Sequence, residues 1–153
     1  MLLPLLLAIG MFVFGLNIQA VILTWLIERL PGLTQWAARG RRLRRSVGVV
    51  DLVLLHVLFV AMVQIATWAL LFTWIGEFRE YHTAFYHSAV NYTTLGYGDV
   101  VMSPPWRLLG PLEALNGVLA LSLSGAVLVS TFGHLRDARH SVSPSRGGKT
   151  GGP

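Results

Sequence analysis

Three stretches of this chain, at residues 2–26, 47–75 and 108–132, are apolar for long enough to cross a hydrocarbon core of roughly 30 Å, which takes about twenty helical residues. They predict three membrane-spanning helices. The balance of residue types agrees: 54% of residues are hydrophobic and 12% charged, where a soluble domain carries about a quarter charged. The first run differs from a secretory leader. It has no basic start, extends well past an h-region of about 7–15 residues, and shows no small-x-small cleavage site before Glu28 and Arg29. It is read as a retained helix, with Pro4 in the first turn where a missing N–H costs little. Asn17, Gln19 and Thr24 on it are expected to face protein rather than lipid. Cysteine is absent, which excludes disulfides and Cys-ligated metal.

Arginines set the orientation. Arg29, Arg39, Arg41, Arg42, Arg44 and Arg45 lie between the first two runs, and Arg136, Arg139, Arg146 and Lys149 follow the third. Short loops rich in Lys and Arg stay cytoplasmic, so the N-terminus is expected outside and the C-terminus inside. The 78–107 connection then belongs to the outer side.

The first half of that connection, 83–92, contains no Gly or Pro and reads as a short re-entrant helix. It leads into Thr93-Thr94-Leu95-Gly96-Tyr97-Gly98-Asp99. Irregular backbone at membrane depth is tolerated only where protein buries it or where it lines a water-filled path. A dehydrated monovalent cation needs successive rings of oxygens with modest field strength, which backbone carbonyls supply. Aiming consecutive carbonyls at one axis requires alternation between ordinary and left-handed backbone, and Gly96 and Gly98 stand where a side chain would be penalised. Thr94 adds a hydroxyl at the inner end. The carboxyl end of the re-entrant helix, with roughly half a negative charge, would favour a cation nearby. Each chain offers one such strand, so a closed ring requires several copies about an axis.

Thr94-Leu95-Gly96-Tyr97-Gly98-Asp99 matches the T-[VIL]-G-Y-G-D filter signature, and from about residue 49 to 134 the chain resembles the potassium-channel pore family. The resemblance implies an all-α membrane protein: three transmembrane helices plus a re-entrant pore helix and filter loop, assembling as a tetrameric potassium-channel pore. It implies K+ held by Thr94, Leu95, Gly96, Tyr97 and Gly98, with Thr93, Asp99, Tyr86 and His87 as filter support. Tyr86 and His87 replace a tryptophan pair common in relatives, and contacts from Tyr86 to Asp99 and from His87 to Tyr97 are expected. Val90 stands where some relatives carry a glutamate that pairs with the filter aspartate, so that pair is missing. Leu95 replaces the commoner valine without removing a carbonyl. Gly117, 18 residues after Asp99, is the gating-hinge candidate, against close helix packing as the alternative.

The expected organisation is a peripheral first helix over 1–27, a basic cytoplasmic loop over 28–46, and a pore domain over 47–133. Within the pore domain the outer helix covers 47–76, the pore helix 83–93, the filter 94–98 and the inner helix 107–133; a disordered tail occupies 134–153. Arg39, Arg41, Arg42, Arg44 and Arg45 are candidates for anionic lipid headgroups, each basic residue contributing roughly 1 kcal/mol near such a surface. Voltage sensing of the usual kind is not expected, because no arginines recur at three-residue spacing inside the first two spans. Glu113 and Asn116 lie one turn apart in the third span; the intramembrane carboxylate is a functional candidate by default, with a place near the outer interface, packed behind the filter, as the equal alternative, and it is not read as an ion ligand. His82 is read as solvated, and His56 as hydrogen-bonded between helices.

The Gly148-Lys149-Thr150 string lacks the first glycine and the following helix of a phosphate loop. Gly96-Tyr97-Gly98-Asp99 also fits the G-x-G-D string of intramembrane aspartyl proteases. That chemistry needs a second aspartate at matching depth, and Asp51 and Asp137 both fall on the opposite side. The expectation is therefore a non-enzymatic homotetramer passing K+ passively in a plasma membrane, a bacterial inner membrane in particular. No cofactor besides the permeant ion and no nucleic-acid partner are expected. A non-conducting regulatory pore subunit is the alternative.

Overall fold

The computed structural model describes residues 2–38 and 42–142. They form four helices in chain order: α1 (Leu2–Ala38), α2 (Arg42–Trp74), α3 (Tyr81–Tyr92) and α4 (Leu109–Val142). Strands are absent among the described residues, and α1, α2 and α4 are each long and apolar enough to cross a membrane. The protein is an all-α membrane protein. Its polarity is inverted relative to a soluble fold: Gln19, Gln64, Ser88, Glu113, Asn116 and Thr131 are buried, whereas Leu2, Leu55, Leu58, Phe59, Leu70 and Val129 are exposed.

The helices outrun the expected spans on the basic side. At 37 residues α1 is about 55 Å long, well beyond the hydrocarbon thickness. Residues 28–38 and 42–46, expected as loop, are therefore helical, and α4 continues through 134–142, expected as disordered. Packing explains both differences. Leu26 and Leu30 of α1 bury against Val53 and Val127, and Ala37 buries against Val49 and Leu135. That stripe has helical spacing and outweighs the hydrogen bond forfeited at Pro31. Smaller boundary differences follow local chemistry. α2 stops at Trp74 because Gly76 adopts φ +76° and caps it, its N–H donating to Thr73 O at 3.1 Å. Residues 107–108 belong to the turn before α4, where Trp106 N–H donates to Ser103 O and Leu109 N–H to Trp106 O.

α3 packs between α2 and α4, while α1 packs on both of those longer helices. A buried amide chain joins the three. Gln19 Nε2 donates to Ser124 Oγ at 2.8 Å and to Ala120 O at 3.3 Å, Gln64 Nε2 donates to Gln19 Oε1 at 3.0 Å, and Asn116 Nδ2 donates to Gln64 Oε1 at 3.0 Å. Gly15 admits this cluster: a Cβ there would lie 2.9 Å from Gln64 Oε1. Of the three polar residues expected to face protein, Gln19 does so within the chain. Asn17 is exposed and donates to Val13 O of its own helix at 2.7 Å, and Thr24 is exposed.

Candidate functional site

α3 has a glycine-free, proline-free sequence and an extended Glu80 at its N-cap. Its carboxyl end holds the loop that follows. Thr94 N–H donates to Asn91 O at 2.8 Å, while Leu95 N–H and Gly96 N–H both donate to Val90 O, at 2.9 and 3.3 Å. Thr93 adds its N–H and its hydroxyl to Ala89 O, at 3.2 and 2.7 Å. The loop's N–H groups are thus drawn back onto the helix. Among the described residues, none of the carbonyls from Thr94 to Gly98 accepts a hydrogen bond.

The backbone alternates as the chemistry demands. Gly96 and Gly98 have φ of +59° and +75°, and Thr94 joins them at +60°. Leu95 and Tyr97 between them are not left-handed. Thr94 is the one residue of this alternation that the glycine pattern does not reveal. A left-handed conformation in an L-residue is strained by about 1–2 kcal/mol, and the three N–H bonds onto α3 hold it in place. Residues 93–99 are exposed along this strand.

Behind the strand, Tyr86 Oη donates to Asp99 Oδ2 at 2.7 Å. This bond holds the Asp99 carboxyl below its usual range and raises the Tyr86 phenol above its own. His87 does not reach Tyr97 within the chain. Its Nδ1 lies 2.9 Å from Val100 O and its Nε2 lies 2.8 Å from Asn91 Nδ2, with Phe72 and Phe78 against the ring at 5.6 and 5.0 Å between centroids. An imidazole with two short in-plane partners has no nitrogen left for a phenol. Burial holds His87 below the ordinary imidazole range. Ser103 is tied to the Glu77 carboxylate, its hydroxyl donating to Oε2 at 2.7 Å and its N–H to Oε1, so the loop after the strand is pinned to the turn after α2. Only their separation of 26 positions, which no local pattern encodes, kept this pair from view.

Glu113 of α4 is fully buried against α3, where the Ser88 hydroxyl is in hydrogen-bond contact with both its Oε1 and Ile65 O, the latter at 2.9 Å, with one proton to share between them. Gly117 lies one turn further on. A Cβ there would fall 2.0 Å from Tyr92 O, so glycine is what permits α4 to touch the end of α3, and α4 runs through this point unbroken. This geometry supplies the packing role for Gly117. His56 differs from expectation: it stacks on Trp25 at 6.0 Å and its Nε2 is buried without a hydrogen bond. Among the basic candidates, Arg45 sits 4.5 Å over the Trp36 ring and Arg44 is exposed. Arg39 and Arg41 lie outside the described residues, as does the Arg42 side chain.

Free backbone carbonyls hung from a short helix between two long apolar helices have the form that a carbonyl-lined ion path requires. Comparison with known proteins agrees: the model of a family described as "Ion channel" matches residues 53–133, more than half of the chain. The chain belongs to this family, the potassium-channel pore family. It is 37% identical over 60 residues to the potassium voltage-gated channel protein shk-1 of Caenorhabditis elegans, covering 39% of this chain and 11% of that protein. To the potassium voltage-gated channel subfamily A member 10 of Mus musculus it is 29% identical over 113 residues, covering 69% of this chain and 22% of that protein. The potassium voltage-gated channel protein Shal of Drosophila melanogaster is 37% identical over 60 residues, with 39% and 10% covered. The chain thus spans less than a quarter of the length of these relatives. No solved structure matches it significantly.

Proposed function

We propose that four copies of this chain surround a central axis and form a potassium-selective channel that passes K+ passively, with the carbonyls of Thr94, Leu95, Gly96, Tyr97 and Gly98 as ligands. The observation that carries this reading is the left-handed alternation at Thr94, Gly96 and Gly98 together with the unused carbonyls between them. One strand per chain cannot encircle an ion, so the reading requires rotational symmetry. Thr93 and the Tyr86–Asp99 bond brace the strand from behind, and His87 braces the backbone just beyond it at Val100.

The arginine distribution supports placing the N-terminus and the filter mouth outside and the C-terminus in the cytoplasm, with the bacterial inner membrane as the setting. Arg44 and Arg45 then stand where anionic headgroups lie, Arg45 on its Trp36 platform. Reconstitution into liposomes with an outward K+ gradient tests the function. Valinomycin-independent K+ flux without matching Na+ flux is expected. Equal flux of both ions would sink selectivity, and no flux from a folded tetramer would make the chain a non-conducting pore subunit.

A further inference from the structure

Glu113 buries a carboxyl group that has no cation to pair with. The residue is fully buried on α4, and its Oε2 has no hydrogen-bond partner. Among the described residues no basic side chain forms an ion pair with it. Its Oε1 meets the Ser88 hydroxyl of α3, which also stands 2.9 Å from Ile65 O of α2. One turn further along α4, the Asn116 amide brings no donor, because its Nδ2 is committed to Gln64 Oε1 and its Oδ1 is itself buried without a partner.

A count of hydrogens follows from these contacts. Ser88 owns one hydrogen and faces two acceptors. Were Glu113 an anion, that shared hydrogen would be its sole donor, and half of its charge would sit on an oxygen with none. Burying a charge on those terms is among the least favourable arrangements a fold can hold. A neutral acid removes the conflict. With the acid hydrogen on Oε1, Glu113 donates to Ser88 Oγ and Ser88 donates to Ile65 O, so each hydrogen has one acceptor. Oε2 is then an uncharged carbonyl oxygen, which tolerates a missing donor better than an anion does.

We propose that Glu113 is a positioning residue for the filter, held as a neutral carboxylic acid that donates to Ser88 and thereby joins α4 to α3 and α2. The inference rests on the channel reading above. Its consequence for the filter lies in the register of the two helices. Ser88 and Tyr92 are one turn apart on α3, as Glu113 and Gly117 are on α4. Glu113 meets Ser88, and Gly117 admits Tyr92 O. α4 therefore holds α3 at two successive turns, which fixes its rotation as well as its distance. Contact at Tyr92 alone would leave α3 free to turn about its axis. Val90 lies between those two points, and its carbonyl accepts the N–H groups of Leu95 and Gly96. A turn of α3 would carry that carbonyl with it and re-aim the carbonyls of residues 94–98.

Infrared spectroscopy of the full chain in lipid at neutral pH reads the acid hydrogen without conduction, so its outcome is separate from that of the channel reading. The wild type should show the carbonyl band of a buried carboxylic acid, and Glu113→Gln should remove it. Ser88→Ala should keep the band and move it to higher frequency, because the acid hydrogen loses its acceptor. A Glu113→Gln difference spectrum that shows only lost carboxylate bands, or an acid band indifferent to Ser88→Ala, would overturn the proposal. Flux through reconstituted channels reads the positioning role. Glu113→Leu fills the site without a donor and should lower the ratio of K+ to Na+ flux. Glu113→Gln, whose amide N–H can donate to Ser88 Oγ, should restore that ratio. A Glu113→Leu channel as selective as wild type would refute the positioning role.

Discussion

Adding one methyl group at Gly117 probes the contact on which the pore element hangs. The new Cβ would lie 2.0 Å from Tyr92 O, 2.9 Å from its carbonyl carbon and 3.1 Å from its Cα, where ordinary contact begins at 3.4 Å. All three are backbone atoms at the end of α3, so no rotamer change relieves the overlap, and α4 must recede by about 1.4 Å. Overpacking of a close-packed site costs about 1–3 kcal/mol, and a backbone clash of this depth belongs at the upper end. The better helix propensity of alanine returns about 1 kcal/mol, leaving a net loss of about 2 kcal/mol in each subunit. The assay is thermal dissociation of the detergent-solubilised oligomer, followed by size exclusion after heating. Gly117→Ala should lower the midpoint by several degrees. Gly48→Ala, with open space around its Cβ, should not. An unchanged midpoint for Gly117→Ala, accompanied by altered open probability, would refute the packing argument and favour a hinge.

Gly98→Ala should abolish selective conduction while sparing assembly, since its Cβ meets nothing within the chain but its φ of +75° is strained for an L-residue; K+ and Na+ flux on folded tetramers check this. Tyr86→Phe removes the 2.7 Å bond to Asp99 and should speed current decay at constant drive without changing ion preference, as read from macroscopic currents. Gln19→Leu deletes the donor that ties α1 to Ser124 and leaves Gln64 without its acceptor; interhelical bonds in membranes average about 0.6 kcal/mol, so the oligomer should dissociate a few degrees lower. For His87, the folded pKa lies below the unfolded one, so the unfolded chain binds more protons in acid. The stability this group contributes is therefore present above about pH 6.5 and declines as pH falls towards the folded value, a decline that His87→Phe should remove from a thermal scan.

The features legible in the sequence were those with a short repeat or a length threshold. Apolar runs gave the three spanning helices, the absence of breakers gave α3, and the glycine alternation located the left-handed positions at 96 and 98. The Tyr86–Asp99 contact was legible through family resemblance. What escaped depends on tertiary distance. Helix ends beyond the lipid are set by Leu30, Ala37 and Leu135 finding partners on other helices, which local composition around Pro31 obscures. The partners of His87 could not be read from its motif position, because Val100 and Asn91 claim both nitrogens first. Thr94 takes a left-handed conformation that its side chain resists, held by hydrogen bonds rather than by residue type.

Ion preference bears most directly on the central claim that the free carbonyls from Thr94 to Gly98 select K+. Single channels in a planar bilayer, with K+ on one side and Na+ on the other, report that preference as a reversal potential. A reversal potential far towards the sign that K+ permeation imposes is expected, lost in Gly98→Ala. A wild-type reversal potential near zero would contradict it.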